Sequence, residues 1–254
     1  MKGLKGKVAL IAGAGDIGVG TAERLAQEGA RVVIGSRRVE GAQKGADAAV
    51  AAGGEAIAVA CDISDEEQVA AAAAAAIDRF GGIDLALLIA ANTSKEVQGV
   101  DHDILGVPMD VFDKAVATNL RGHILVTRAV LPSMIERGGG SIVYISSEAA
   151  LIGASYGHFY GATKGGLNAF CRHVAYAHGK QGIRANSLSL DMVWTEHMRD
   201  VTPKEDSDAR LELARTPALG TPEDVVGAAV FLLSEDCKSI QGQNIALNAG
   251  TVMR

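Results

Sequence analysis

The sequence predicts an α/β fold, a doubly wound parallel β-sheet of about seven strands flanked by helices. Three observations predict it. Short β-branched runs alternate with longer segments of helical periodicity along the whole chain. Several of those runs are apolar at every position, as strands buried on both faces are. A glycine cluster, IAGAGDIGVG at residues 11–20, stands where the first strand gives way to the first helix.

The expected strands are Val8–Ala12, Arg31–Ile34, Ala56–Ala60, Leu85–Ala90, Ser141–Ser146, Arg184–Leu188 and Asn244–Leu247. In the first helical segment Ala22, Leu25, Ala26 and Gly29 follow i, i+3, i+4, i+7 spacing, with Glu23, Arg24, Gln27 and Glu28 outside it. Thr221-Pro222-Glu223-Asp224 reads as a helix start, with a Thr cap, Pro at the first position and acids in the first turn. Asn92 to Pro108 is a long polar segment that either shapes a pocket or runs over the surface.

No linker, charge block or repeat divides the 254 residues, so a single domain over residues 1–254 is expected. The net charge of −6 and the lack of a Lys/Arg cluster argue against nucleic acid or an anionic membrane as partner. The first strand begins at Lys7, which leaves no room for a signal peptide, and the apolar stretch Val69 to Ile77 is too short to span a bilayer. Cys61, Cys171 and Cys237 are odd in number and widely spaced, which fits buried reduced thiols in a cytoplasmic protein, with no metal site.

Gly13, Gly15 and Gly18 spell Gly-x-Gly-x-x-Gly with Asp16 and Ile17 between them. At a strand-to-helix junction this pattern is the fingerprint of a Rossmann dinucleotide site, because glycines let a pyrophosphate reach the helix N-terminus. The bland reading is a tight turn without a ligand. An acid for the ribose 2′-hydroxyl is the usual feature about 20 residues on. Here the second strand ends in Ser36, Arg37 and Arg38, which suits the 2′-phosphate of NADP(H). Solvated charges at a helix entry would look the same, and NAD(H) stays possible.

Tyr160 and Lys164 are four residues apart, on one helical face whose stripe continues through Leu167, Cys171, Val174 and His178. An ammonium beside a phenol favours the phenolate, and a phenol so lowered can exchange a proton with a carbonyl or alcohol. An amphipathic helix would carry a lone pair of this kind without any chemistry. Asn119 lies on the apolar stripe Phe112, Val116, Asn119, His123, Val126, where a polar side chain needs a reason. His158 precedes Tyr160 by two residues, where it either faces substrate or, as is the stronger expectation, has a structural or surface role.

The combination SIVYISSEAA and YGATKGG, with Ser147 placed 13 positions before Tyr160, resembles the short-chain dehydrogenase/reductase family in its single-domain branch. ATNLRGHILVTRAVLP, CDISD, GTPEDVVGAAVFLLSED and GQNIALNAG extend the resemblance over essentially the whole chain. It implies hydride transfer between a nicotinamide and a secondary alcohol or ketone, with cofactor binding mainly in residues 1–110 and catalysis mainly in 111–254. Tyr160 would be the acid or base, and Lys164 would lower its pKa and hold the nicotinamide ribose. Ser147 would bind the substrate oxygen, and Asn119 would anchor a proton-relay water. Asp62 would touch adenine, and Ile63, Ala90, Val193 and Thr195 would line the cofactor. A homotetramer is implied, joined through the helices around Asn119 and Tyr160, where Val111, Ile124 and Phe170 exceed what one inward stripe needs.

The chain departs from the family's pattern at three places. Its glycine loop is one residue short, and Asp16 either caps the helix or faces the phosphates. Leu88-Ile89 replaces a pair of asparagines, and Leu190-Asp191 replaces Pro-Gly, which would put Asp191 near the nicotinamide. Three readings follow: an NADP(H)-preferring alcohol dehydrogenase or ketone reductase, an NAD-dependent catabolic enzyme of the same fold, or a catalytically silent nucleotide-binding scaffold.

Overall fold

The computed structural model describes residues 1–195, 198 and 202–253. Seven strands form one parallel sheet: β1 (Val8–Ala12), β2 (Arg31–Ser36), β3 (Ala56–Ala60), β4 (Leu85–Leu88), β5 (Gly140–Ser147), β6 (Ile183–Leu190) and β7 (Asn244–Leu247). Their order is β3-β2-β1-β4-β5-β6-β7, so the order reverses between β1 and β4. In an open parallel sheet that reversal opens a crevice at the carboxyl ends of the strands, where ligands bind.

The helices are α1 (Asp16–Gln27), α2 (Val39–Ala51), α3 (Glu66–Phe80), α4 (Met109–Val116), α5 (His123–Glu136), α6 (His158–His178), α7 (Lys204–Leu213) and α8 (Pro222–Leu233). Alternation along the strands builds two cores. Val8, Leu10 and Ala12 of β1 face α3, α5 and α6, while Ala9 and Ile11 face α1, α2 and α8. The expected cap of α8 is present as a reciprocal box, in which Thr221 and Asp224 satisfy one another's backbone N–H. The three cysteines are buried and free.

Four strands differ from expectation at the carboxyl end, and β2 runs on to Ser36 instead of stopping at Ile34. β5 and β6 run on to Ser147 and Leu190, which carries the catalytic candidate Ser147 to the crevice. β4 stops at Leu88 instead of Ala90, because the N–H groups of Ile89 and Ala90 both turn back to the Ala12 carbonyl. Between α4 and α5 the chain forms a π-helical segment, Ala117–Gly122, which carries Asn119. Such wide turns recur at functional sites, where they re-aim a side chain.

Candidate active site

A cleft of about 410 Å³ opens at the switch between β1 and β4. It brings together Gly13, Gly15, Asp16, Ile17, Ser36, Arg37, Arg38, Asp62, Ile63, Ala90 and Thr195, all named from the sequence. Ala14, Gly35, Gly41, Cys61, Ile89, Ala91, Thr93 and Thr118 join them. Most of these neighbour a motif residue in sequence. Gly41, at the first turn of α2, had no sequence signal.

The three glycines have different reasons to be glycine. Gly13 has φ +125°, which side chains rarely adopt, and a Cβ there would lie 2.7 Å from Ile89 Cγ2. At Gly18 a Cβ would lie 2.1 Å from the Gly13 carbonyl oxygen, so this glycine lets α1 sit against the loop. Gly15 has an ordinary φ of −79°, and a Cβ on it would meet nothing. No packing demand explains Gly15, whereas close approach by a ligand does. Gly15 is also the N-cap of α1 and supplies no side-chain cap, so the first-turn N–H groups face the cleft without one. The residues present therefore fit a pyrophosphate. Asp16 does not cap the helix, contrary to one expectation: it is the first helical residue, exposed at the cleft.

At the other end of the strand carboxyl edge, Ser147 closes β5 and Tyr160 lies in the first turn of α6. The Tyr160 hydroxyl stands beside the Ser147 side chain, the one group that opposes the effect of its burial. Lys164 is fully buried one turn on, with Nζ donating to the Ile145 carbonyl at 2.8 Å and standing 5.6 Å from the centre of the Tyr160 ring. Asn119 is buried, with Oδ1 accepting the Asn92 N–H at 2.6 Å and Nδ2 donating to the Asn92 carbonyl at 3.4 Å. Its side chain thus ties the π-helical segment to the chain leaving β4.

The electrostatics differ from expectation. Burial pushes the Tyr160 phenol up, opposed only by the neighbouring Ser147 side chain. The ammonium that was to lower it is turned to the Ile145 carbonyl. Burial also pushes Lys164 itself down to about 8. An unfolded lysine holds its proton to about pH 10.4. Across that window the unfolded chain binds the extra proton, so stability rises with pH, and below about pH 8 the full penalty applies. Wild type is therefore expected to gain about 3 kcal/mol on Lys164→Met between pH 7.5 and 10.5. Denaturant midpoints of both proteins at the two pH values measure it, and a constant difference contradicts it.

Three expected positions lie elsewhere. Val193 packs against the other core and lines a separate small cavity with Asp191, outside the cleft. The Asp191 carboxylate pairs with Arg210 Nη2 of α7 at 3.2 Å, so it is engaged by the helix beyond β6 and does not line the cleft. Val111 is not free for an interface, since it is buried with Val97, Ala115 and Phe159.

One residue was missed. Asp101, in the segment after β4, is buried and accepts the Phe159 N–H at 2.8 Å and the Tyr160 N–H at 3.4 Å. It also pairs with His158 Nδ1 at 3.2 Å. Gly157, the residue preceding α6, offers no cap of its own, so Asp101 caps the Tyr160 helix from 59 positions away. Asp101→Ala is expected to cost about 1–2 kcal/mol, the scale of a lost cap, and Asp101→Asn clearly less. Urea denaturation checks this, and equal losses contradict it.

The sequence model described as enoyl-(acyl carrier protein) reductase matches residues 11–252. An uncharacterised oxidoreductase of Mycobacterium tuberculosis is 38% identical, with 98% of each chain covered. The L-rhamnose 1-dehydrogenase (NAD(P)(+)) of a Sphingomonas strain is 34% identical, again with 98% of each covered. Among solved structures, a 7α-hydroxysteroid dehydrogenase complexed with NADH and 7-oxo glycochenodeoxycholic acid superposes with a TM-score of 0.90 at 29% identity, covering 99% of this chain and 96% of that one. Family model, relatives and fold agree: the chain belongs to the short-chain dehydrogenase/reductase family, oxidoreductases that use NAD(P).

Proposed function

We propose that this chain is an NADP(H)-preferring alcohol dehydrogenase or ketone reductase acting on a small-molecule secondary alcohol or carbonyl. The observation that carries the reading is the Tyr160 hydroxyl beside Ser147 at one end of the strand edge, with Arg37 and Arg38 exposed in the cleft at the other. A bound nicotinamide dinucleotide supplies the hydride chemistry. The protein's part is orientation and proton management. The α1 N-terminus and Gly15 receive the pyrophosphate, and Asp62 and Ile63 border the adenine side. Thr195, Ala90 and Lys164 hold the nicotinamide ribose end. Ser147 donates to the substrate oxygen, and Tyr160 passes a proton to it or takes one from it. Asn119, by fixing the π-helical segment, orders the route by which that proton exchanges with solvent.

Quenching or enhancement of NADPH and NADH fluorescence by dialysed protein tests the reading, followed by turnover on a panel of ketones. Tighter NADPH with turnover supports it. Binding without turnover on any ketone favours the silent scaffold. Preference for NADH favours the catabolic reading, for which Asp16 at the cleft is the favouring observation.

The same reading makes the protein a cytoplasmic homotetramer, in keeping with its buried free thiols. Ile124 and Phe170 are only half-buried, and Tyr176 of α6 is 92% exposed, so the α5 and α6 faces retain apolar surface for a second copy. Light scattering at micromolar concentration is expected to give four chains, and a stable monomer contradicts it.

A further inference from the structure

We propose that His123 is a positioning residue for the cofactor cleft, holding the Ala90 carbonyl where the chain leaves β4 and so fixing the wall against which the dinucleotide lies. The inference rests on the reading that the cleft holds a dinucleotide.

His123 is 0% exposed, at the start of α5 and one turn after Asn119. Its Nε2 lies 2.9 Å from the Ala90 oxygen. A carbonyl only accepts, so Nε2 carries the proton. Nδ1 is buried without a partner. A proton on Nδ1 would be an unpaired buried donor, so the ring is neutral with a single N–H. Burial and the Lys164 ammonium push the same way, taking His123 down to about 3.

The neighbouring sequence shows why this bond matters. Leu88, Ile89, Ala90 and Ala91 offer no polar side chain to anchor the strand end. The Ile89 and Ala90 N–H groups share one acceptor, the Ala12 oxygen. Anchoring comes from the helix instead. Asn119 grips Asn92, and His123, one turn later, grips Ala90. Between and beside those two points lie Ile89, Ala90 and Ala91, which line the cleft. Without the His123 bond the Ala90 carbonyl would lose the side chain that orients it, and the wall would be free to shift.

The test uses four full-length proteins: wild type, His123→Gln, His123→Asn and His123→Leu. NADPH and NADH dissociation constants are read by fluorescence and folding by denaturant midpoint. Glutamine places an N–H near the ε position, while asparagine reaches only the δ position. His123→Gln is expected to stay within about 3-fold of wild type, and His123→Asn and His123→Leu to weaken binding roughly 10-fold, the scale of one lost hydrogen bond with its partner left unpaired. A general packing role would instead lower the midpoint while leaving the affinity of the folded variants unchanged. If His123→Leu does not fold, the Gln and Asn pair decides. The ring ¹⁵N signals of wild type are expected to show the Nε2-protonated tautomer and no titration between pH 5 and 8. An Nδ1-protonated or titrating ring overturns the assignment. Wild type that binds neither dinucleotide overturns the cleft reading itself. Wild type that binds, with all folded variants matching it, overturns only the role of His123.

Discussion

Tyr160→Phe is expected to lower turnover by about 100-fold or more, the usual scale for losing a positioned acid or base. The substitution removes one oxygen and keeps the ring, so the packing of α6 and the Asp101 cap on its first turn persist. The oxygen removed is the one beside Ser147, whereas the Tyr144 hydroxyl is buried in the sheet core on Thr127. Dinucleotide affinity is expected to change little, because the cleft is lined by backbone and side chains of other elements. Measuring kcat and the dinucleotide dissociation constant on the same preparation separates the two. Near-normal turnover would place the proton chemistry elsewhere. Burial pushes the phenol up, while its neighbouring ammonium donates to the Ile145 carbonyl.

The parts of this site that the sequence reveals are those carried by local pattern. Strand alternation, the Thr221 cap and the glycine loop each need only neighbours within a few residues, and the structure has them where expected. Contacts across long separations are what local pattern does not encode. Asp101 reads as one acid in a polar segment, yet it caps a helix beginning 57 residues later. Asp191 sits at the expected strand end, but Arg210, on a helix that starts well beyond it, takes its carboxylate. The apolar pattern carries β4 two residues past its end, since Ile89 and Ala90 are as apolar as the strand and only the shared Ala12 acceptor ends the ladder. The π-helical segment has no sequence signature at all. Its consequence was visible as a polar Asn119 and a His123 on an otherwise apolar stripe.

Replacing both Arg37 and Arg38 by alanine is expected to abolish most of the preference for NADP(H). Both residues are exposed, both line the cleft where β2 ends, and neither forms an ion pair among the described residues. Ser36 stands beside them at the strand's last position. Among the described residues their charges are thus uncommitted, which distinguishes them from Arg24, paired with Glu28, and Arg137, paired with Asp84. One charged hydrogen bond to a 2′-phosphate is worth about 1.5–3 kcal/mol, which corresponds to roughly 10- to 150-fold in kcat/KM. Asp16 acts in the opposite sense. It does not cap α1, so its carboxylate is exposed in the same cleft and disfavours a further phosphate. An exposed carboxylate is screened by water and salt, whereas two guanidiniums can engage the phosphate directly, so the basic pair is expected to dominate. Asp16→Asn then provides the counter-test, raising the NADP(H) preference by a few-fold while Arg37→Ala combined with Arg38→Ala collapses it. The measurement is kcat/KM with each dinucleotide for wild type and both variants. A wild type that prefers NAD(H), or a double variant with unchanged preference, contradicts the assignment of these arginines and leaves Asp16 as the residue that selects the cofactor.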